Sequence, residues 1–313
     1  VFLALGPATA SAPSADRSSE PHPLVVVKAR TLEARLDAFS GLFLGRPYAF
    51  HSALGEGPSG RFDQNPLERF DTFHCVTYLE TVVALALARD EADFRDVLRR
   101  LRYRRGEIAF EKRNHFPCLD WIPNNVANGV FRDITDRVAG PGNTAVARAQ
   151  VDRKAWYRFM GPERLVLPDA DDATRQERLD ELRRLGDGFR PERASLRYIP
   201  LHVLFPQPPP TGESPLDATV PENTAIFDRI PNGAVVSIVR PNWNVLKVIG
   251  TRMNVSHQGF LFRVNGVLHL RHAKREVGRK VTQEPFVEYL RRAIAFKTIG
   301  GIHLLEVIGR PRP

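Results

Sequence analysis

Apolar residues at Val76, Leu79, Val82, Val83, Ala86 and Leu87 recur at the spacing of a helix buried along one side. Asp71 or Thr72 stands where a helix cap is needed, which places Cys75 in the first turn. The same periodicity predicts a helix over Thr31 to Leu44 with Thr31 as its cap, and another over Glu91 to Arg102. A strongly charged surface helix follows at Thr174 to Leu185, and a last helix at Glu284 to Ile294. From Ala234 onward the pattern turns to strands: Val235 to Val239, Val245 to Ile249, Ser256 to Val264, Val267 to His272 and Ile302 to Ile308, with Val25 to Val27 a short strand near the start. Arg104 to Asp136 reads as irregular with strand-like pieces, and Pro206 to Pro221 as an exposed Pro-rich loop. The Gly- and Pro-rich loop Gly45 to Pro66 leads into the Cys75 helix and is placed to wall a cleft at its N-terminus. With no internal repeat and no break between two cores, one α+β domain is expected.

Composition leaves that picture intact, since 42% hydrophobic and 26% charged residues are ordinary for a globular chain of 313. A formal charge of +9 points to polyanionic surroundings: nucleic acid, anionic lipid or the acidic polymers of a cell envelope. Arginines such as those in the 99–105 run are scattered through helices, without zinc-finger spacing or an RNP-like aromatic pattern. A solvated basic face fits this better than nucleic-acid recognition. Residues 1–12 read as the end of a secretory signal with an Ala10-Ser11-Ala12 cleavage pattern, and 13–31 as a linker and N-terminal segment. No later run approaches the roughly 18 apolar residues of a membrane span. A periplasmic or secreted protein is expected.

The chain has two cysteines, too few for a disulfide framework. At the start of a helix, the partial positive charge of unpaired backbone N–H groups favours thiolate, so Cys75 reads as a nucleophile. It reads equally as a small packed hydrophobe, and its segment alone does not choose. Cys118, beside Asp120-Trp121-Ile122, is expected to be a packed thiol, with a bridge to Cys75 as the alternative.

A nucleophilic cysteine needs a base, and the base needs an orienting group. Asn265-Gly266 is a strong two-residue hairpin turn, which pairs Val264 with Val267 and, counting back, Gly259 with His272. His257 and His272 then share a face as diagonal neighbours, while His269 points the other way. Gly259 opposite His272 leaves room for a close approach. Two ordinary sheet histidines are the plain alternative. Zinc is a rival, but neither C-x-x-C nor H-E-x-x-H spacing is present.

The run from Phe70 to Thr81 containing His74-Cys75-Val76-Thr77, the strand Ser256-His257-Gln258-Gly259-Phe260 and the strand end Leu268-His269-Leu270-Arg271-His272-Ala273 resemble the NlpC/P60 cysteine peptidase and amidase superfamily. More narrowly they resemble its DUF1460 branch of N-acetylmuramoyl-L-alanine amidase-like proteins. Pro47-Tyr48, Leu54-Gly55-Glu56-Gly57, Phe62-Asp63-Gln64-Asn65-Pro66-Leu67, Arg113-Asn114-His115-Phe116, Asp120-Trp121-Ile122 and Tyr198-Ile199-Pro200 add to the likeness, which spans about 32–310. It implies a papain-like α+β fold, with the Cys75 helix packed on an antiparallel sheet and 32–310 forming the catalytic domain. It also implies hydrolysis of the muramoyl-L-alanine amide of muropeptides: Cys75 attacks, His257 moves the proton, His272 orients it, and N–H groups at the helix start receive the oxyanion. Tyr48, Glu56, Asp63 and Arg113 would contact the substrate, solvation being the alternative for Glu56 and Asp63. No metal or organic cofactor is implied. The rivals are a γ-D-glutamyl stem-peptide hydrolase and a catalytically idle wall-binding protein. The chain departs from the family pattern at His74, where Asp is usual, and at Asn232-Gly233-Ala234, where Gly-Asp is usual.

Overall fold

Alternation after residue 234 places successive side chains on opposite faces of a sheet, and helices cover both faces. The computed structural model describes residues 20–49, 54–206, 221–275 and 278–312. The expected signal segment, and residues 207–220 of the Pro-rich loop, lie outside them. Eight strands form the sheet: β1 (Phe131–Asp133), β2 (Ala145–Val151), β3 (Glu192–Pro200), β4 (Ala234–Asn244), β5 (Arg252–Val264), β6 (Val267–Lys274), β7 (Lys280–Pro285) and β8 (Gly301–Val307). They run in the order β2-β3-β8-β4-β5-β6-β7, with β1 also paired to β8 and every pairing antiparallel.

Neighbouring strand residues therefore enter different cores. Val235, Phe260, Phe262 and Ala273 face the Cys75 helix, with Tyr78 edge-on to Phe260 at 5.9 Å between ring centres. Val236, Ile238, Leu261 and Leu270 face the helix Phe286–Ile294 through Phe286, Leu290 and Ala293. The helix Leu32–Leu42 is capped by Thr31 as expected. It is tied to β6 by buried Arg271, which donates to the Asp37 carboxylate at 2.9 Å and to Ser40 Oγ at 2.7 Å. This α+β architecture positions the site.

Several local expectations are corrected. Pro23–Val26 is a short helix, not a strand, because Pro23 starts a turn that His22 caps. Leu246–Ile249 is a helical turn closed by Gly250 in the left-handed region, since β4 already runs to Asn244 and the chain must reverse into β5. Residues 104–136 hold 3-10 and π turns, the helix Ile122–Ala127 and β1. The ribbon of β2 and β3 was not anticipated. Residues 280–285 are strand, and the last helix begins at Phe286. Among the described residues no helix is long and apolar enough to cross a membrane.

Candidate active site

Cys75 opens the helix Cys75–Leu87, but neither Asp71 nor Thr72 caps it. Asp71 is taken by Arg69, and the Thr72 hydroxyl donates to the Pro47 carbonyl. The cap is His74, whose Nδ1 accepts from the N–H of Val76 (3.2 Å) and of Thr77 (3.4 Å), while Thr77 Oγ1 accepts from His74 N–H at 3.0 Å. A ring nitrogen that accepts is unprotonated, so the cap is a neutral imidazole. Burial, then Arg102 and Arg113, hold the His74 pKa down to about 3.

In that turn burial works against the expected thiolate. Although Cys75 retains some exposure, burial of its sulfur pushes the thiol up to about 11, against the backbone N–H groups of Gln258, Val76 and Cys75 itself. Desolvation outweighs the helix terminus because it disfavours the charged form more than the N–H groups favour it. Cys118 is buried, with its thiol pushed up to about 11 beside the Asn254 N–H. Both cysteines are free. Their sulfurs border β5 at Gln258 and Asn254, four residues or about 13 Å apart along the strand.

The hairpin has the expected register: Val264 pairs with Val267, Phe262 with His269 and Phe260 with Arg271 around Asn265 and Gly266, both at positive φ. His257 Nε2 lies 2.6 Å from His272 Nδ1. Gly259 allows this, since a Cβ there would fall 2.9 Å from His272 Cβ and 3.0 Å from the Arg271 carbonyl. His269 turns back on the Val267 carbonyl.

A third member of the line was not foreseen. Glu284 pairs with Leu270 across β6 and β7, which puts it diagonal to His272 on the same face. Its Oε1 is 3.0 Å from His272 Nε2 and accepts from Lys274 at 2.9 Å, and Arg292 holds the other oxygen. Burial alone would raise this carboxyl, but the bonds from His272 and Lys274 hold it down to about 2. An ionised carboxylate only accepts, so His272 carries a proton on Nε2; as a neutral ring it offers a lone pair at Nδ1. His257 must then donate from Nε2, which leaves its own lone pair on Nδ1. Burial, then His272, holds the His257 pKa well below its ordinary value. A neutral base with a defined lone pair results. The spacing of Glu284 from His272 was readable only with 280–285 as a strand.

The four residues expected to contact substrate are turned into the protein. Glu56 accepts from the N–H of Phe62 and Asp63, and burial raises its carboxyl. Asp63 is buried and pairs with Arg113 at 2.9 Å. Half-buried Tyr48 bridges to Phe73, two residues before Cys75, and packs on the core. Below them, Glu80 of the Cys75 helix accepts from Arg102 at 2.7 Å and from Trp121 at 3.0 Å, while Arg102 also holds the Leu54 carbonyl. A cavity of about 460 Å³ between this loop and the helix Glu91–Arg102 is lined by Leu67, Leu98 and Tyr103, and includes neither Cys75 nor the two histidines. Among the described residues no three His, Cys, Asp or Glu side chains group as metal ligands.

The model of the AmiA-like family, described as N-acetylmuramoyl-L-alanine amidase-like, matches residues 38–299. A Legionella pneumophila protein of the DUF1460 family superposes with a TM-score of 0.84 at 32% identity, over 92% of this chain and 93% of its own. An N-acetylmuramoyl-L-alanine amidase of Bacteroides uniformis superposes at 0.57 with 21% identity, over 88% and 99%. A Bacteroides fragilis protein with a provisional xylanase name superposes at 0.55 with 20% identity, over 86% and 99%. The two Bacteroides structures share the fold. No curated protein matches the chain.

Proposed function

Since the chain belongs to the AmiA-like, N-acetylmuramoyl-L-alanine amidase-like family, we propose that it is a cysteine amidase of NlpC/P60 type, papain-like in fold. It hydrolyses the amide between the muramic acid lactyl group and L-alanine in muropeptides. The observation that carries this reading is the line His257, His272 and Glu284, which leaves one lone pair on His257 Nδ1 in the residue before Gln258, whose N–H borders the Cys75 thiol.

At neutral pH thiol and imidazole both start uncharged, because burial raises one pKa and lowers the other. The nucleophile is therefore formed during attack: His257 Nδ1 takes the thiol proton as sulfur bonds to the carbonyl carbon. The oxyanion falls to the Cys75 N–H, as the Val76 N–H is engaged by His74. The proton passes from His257 to the departing amine, the C–N bond breaks, and a thioester and a free peptide result. Water then gives a proton to His257 and attacks the thioester, releasing the lactyl carboxylate and restoring the thiol. His272 and Glu284 stabilise the transient imidazolium. The steps need no metal or organic cofactor.

The neutral His74 cap answers the family's usual Asp, since either group satisfies the same helix N–H donors. We place the reaction outside the cytoplasm, where residues 1–12 would direct the chain and where its polymeric substrate lies. Mass spectrometry of defined muropeptides after incubation tests the reading. A peptide beginning with L-Ala and a sugar with a free lactyl carboxylate are expected. L-Ala-D-Glu left on the sugar would assign a γ-D-glutamyl hydrolase, and no product an idle binding protein.

A further inference from the structure

Arg240 of β4 is 4% exposed and has no carboxylate partner among the described residues. Its Nε donates to Ser256 Oγ at 3.1 Å and its Nη1 to Thr298 Oγ1, both neutral hydroxyls. Nη2 is buried and bonded to nothing among the described residues. The guanidinium lies 4.8 Å from the ring centre of half-buried Trp243. Elsewhere in this protein buried arginines have an acid: Arg102 has Glu80, and Arg271 has Asp37. A buried cation held by hydroxyls and a ring face is costly, and with no acid supplied among the described residues this one calls for an anion.

Its position says which anion. Ser256 immediately precedes His257, so the guanidinium adjoins the base through one residue. His257 itself bonds to His272 at 2.6 Å, so the serine that holds the cation leads directly into the histidine line. Glu284, the nearby acid, is already matched by Lys274 and Arg292. The unbonded Nη2 of a planar guanidinium fits a carboxylate oxygen.

We infer that Arg240 is a carboxylate-binding subsite of the catalytic cleft, which receives a free carboxylate of the peptide joined to the scissile amide. The inference rests on the amidase reading for the identity of the peptide, and it assigns the chain a preference for acidic over amidated stems.

Calorimetric titration of the Cys75→Ala protein with N-acetylmuramoyl-L-alanyl-D-glutamate and with its diamide tests this without turnover. The diacid should bind roughly 10- to 100-fold more tightly, the range of a charge-assisted bidentate contact. Adding Arg240→Met should bring the ratio close to one, and Arg240→Lys should keep part of it. Equal affinity for the two ligands, or a preference that persists in Arg240→Met, overturns the subsite and leaves Arg240 as a pin between β5 and Thr298. If Arg240→Met fails to fold, the ratio in the parent protein and in Arg240→Lys still decides. Preferential binding of the diacid by a protein that cleaves neither ligand would remove the amidase reading and leave the subsite. Cleavage of both with equal affinity would do the reverse.

Discussion

The two sides of the site use charge in opposite ways. On the strand side, His257, His272 and Glu284 form one line across β5, β6 and β7 that leaves a single unshared lone pair. On the loop side, Glu56, Asp63, Arg113, Glu80 and Arg102 bond to one another and to loop N–H and carbonyl groups. Both sides are rich in ionisable residues, yet one keeps a lone pair open in the proposed mechanism and the other bonds its charges within a loop. Charge in the segments around a cysteine is thus no guide to availability; the bonding of each oxygen and nitrogen is. Substitutions on the strand side should cut turnover with little change in folding, and those on the loop side should do the reverse.

The largest effect is expected at the Cys75 sulfur. Cys75→Ala should reduce muropeptide hydrolysis to background with the melting temperature almost unchanged, whereas Cys118→Ser should stay active; undiminished cleavage by Cys75→Ala would remove the nucleophile assignment. Next, His257→Ala should lower kcat on the order of 10³-fold, and His272→Ala and Glu284→Ala on the order of 10²-fold each, because they act through the base. Steady-state kinetics would break the line if Glu284→Ala matched the parent protein.

Asp63→Asn tests the loop side. Removing one partner of a buried pair should cost about 3 kcal/mol of stability by urea unfolding, because Arg113 keeps its charge. The folded fraction should keep kcat within roughly 10-fold, a smaller loss than at any histidine of the line. A stable variant with a large rise in KM would instead return Asp63 to substrate contact.

The smallest effect at neutral pH concerns the cap. His74 titrates near its ordinary value of 6.5 in the unfolded chain and at about 3 in the folded one. Between these values the unfolded chain holds the extra proton, so stability is complete above pH 6.5 and declines as pH falls toward 3. Asparagine also caps well, so His74→Asn should match the parent at pH 7.5 and lose stability less steeply on acidification. The slope should differ by about 1.4 kcal/mol per pH unit in that window. Parallel acid unfolding curves for the two proteins would refute the neutral cap.

The hairpin register was legible because it depends on local rules: Asn265-Gly266 sets a two-residue turn, and period-two alternation places His257 with His272. The helix Glu91–Arg102 was legible to its ends for the same kind of reason, with Asp90 capping it and arginines in its last turn. Glu284 was hidden because Lys280–Pro285 carries no strand pattern of its own and pairs only through β6. His74 was passed over as a cap because histidine is an uncommon acceptor there, and only a buried ring kept neutral by Arg102 and Arg113 fills that role. Val245 to Ile249 has the apolar residues of a strand, but β4 ends at Asn244 and the reversal into β5 leaves room for a turn alone.

By itself the sequence determined what nearest neighbours along the chain can decide: an apolar helix with a cysteine in its first turn, and a hairpin that sets two histidines on one face. Tertiary structure decided everything that depends on removal of water. It kept the Cys75 thiol protonated against its helix terminus, kept His74 and His257 neutral, and turned Glu56, Asp63 and Arg113 inward. It also left Arg240 without an acid among the described residues, while Arg102 and Arg271 have theirs. Hydrogen-bond patterns along a strand follow from residue order, whereas the cost of a buried charge depends on which distant side chains close over it.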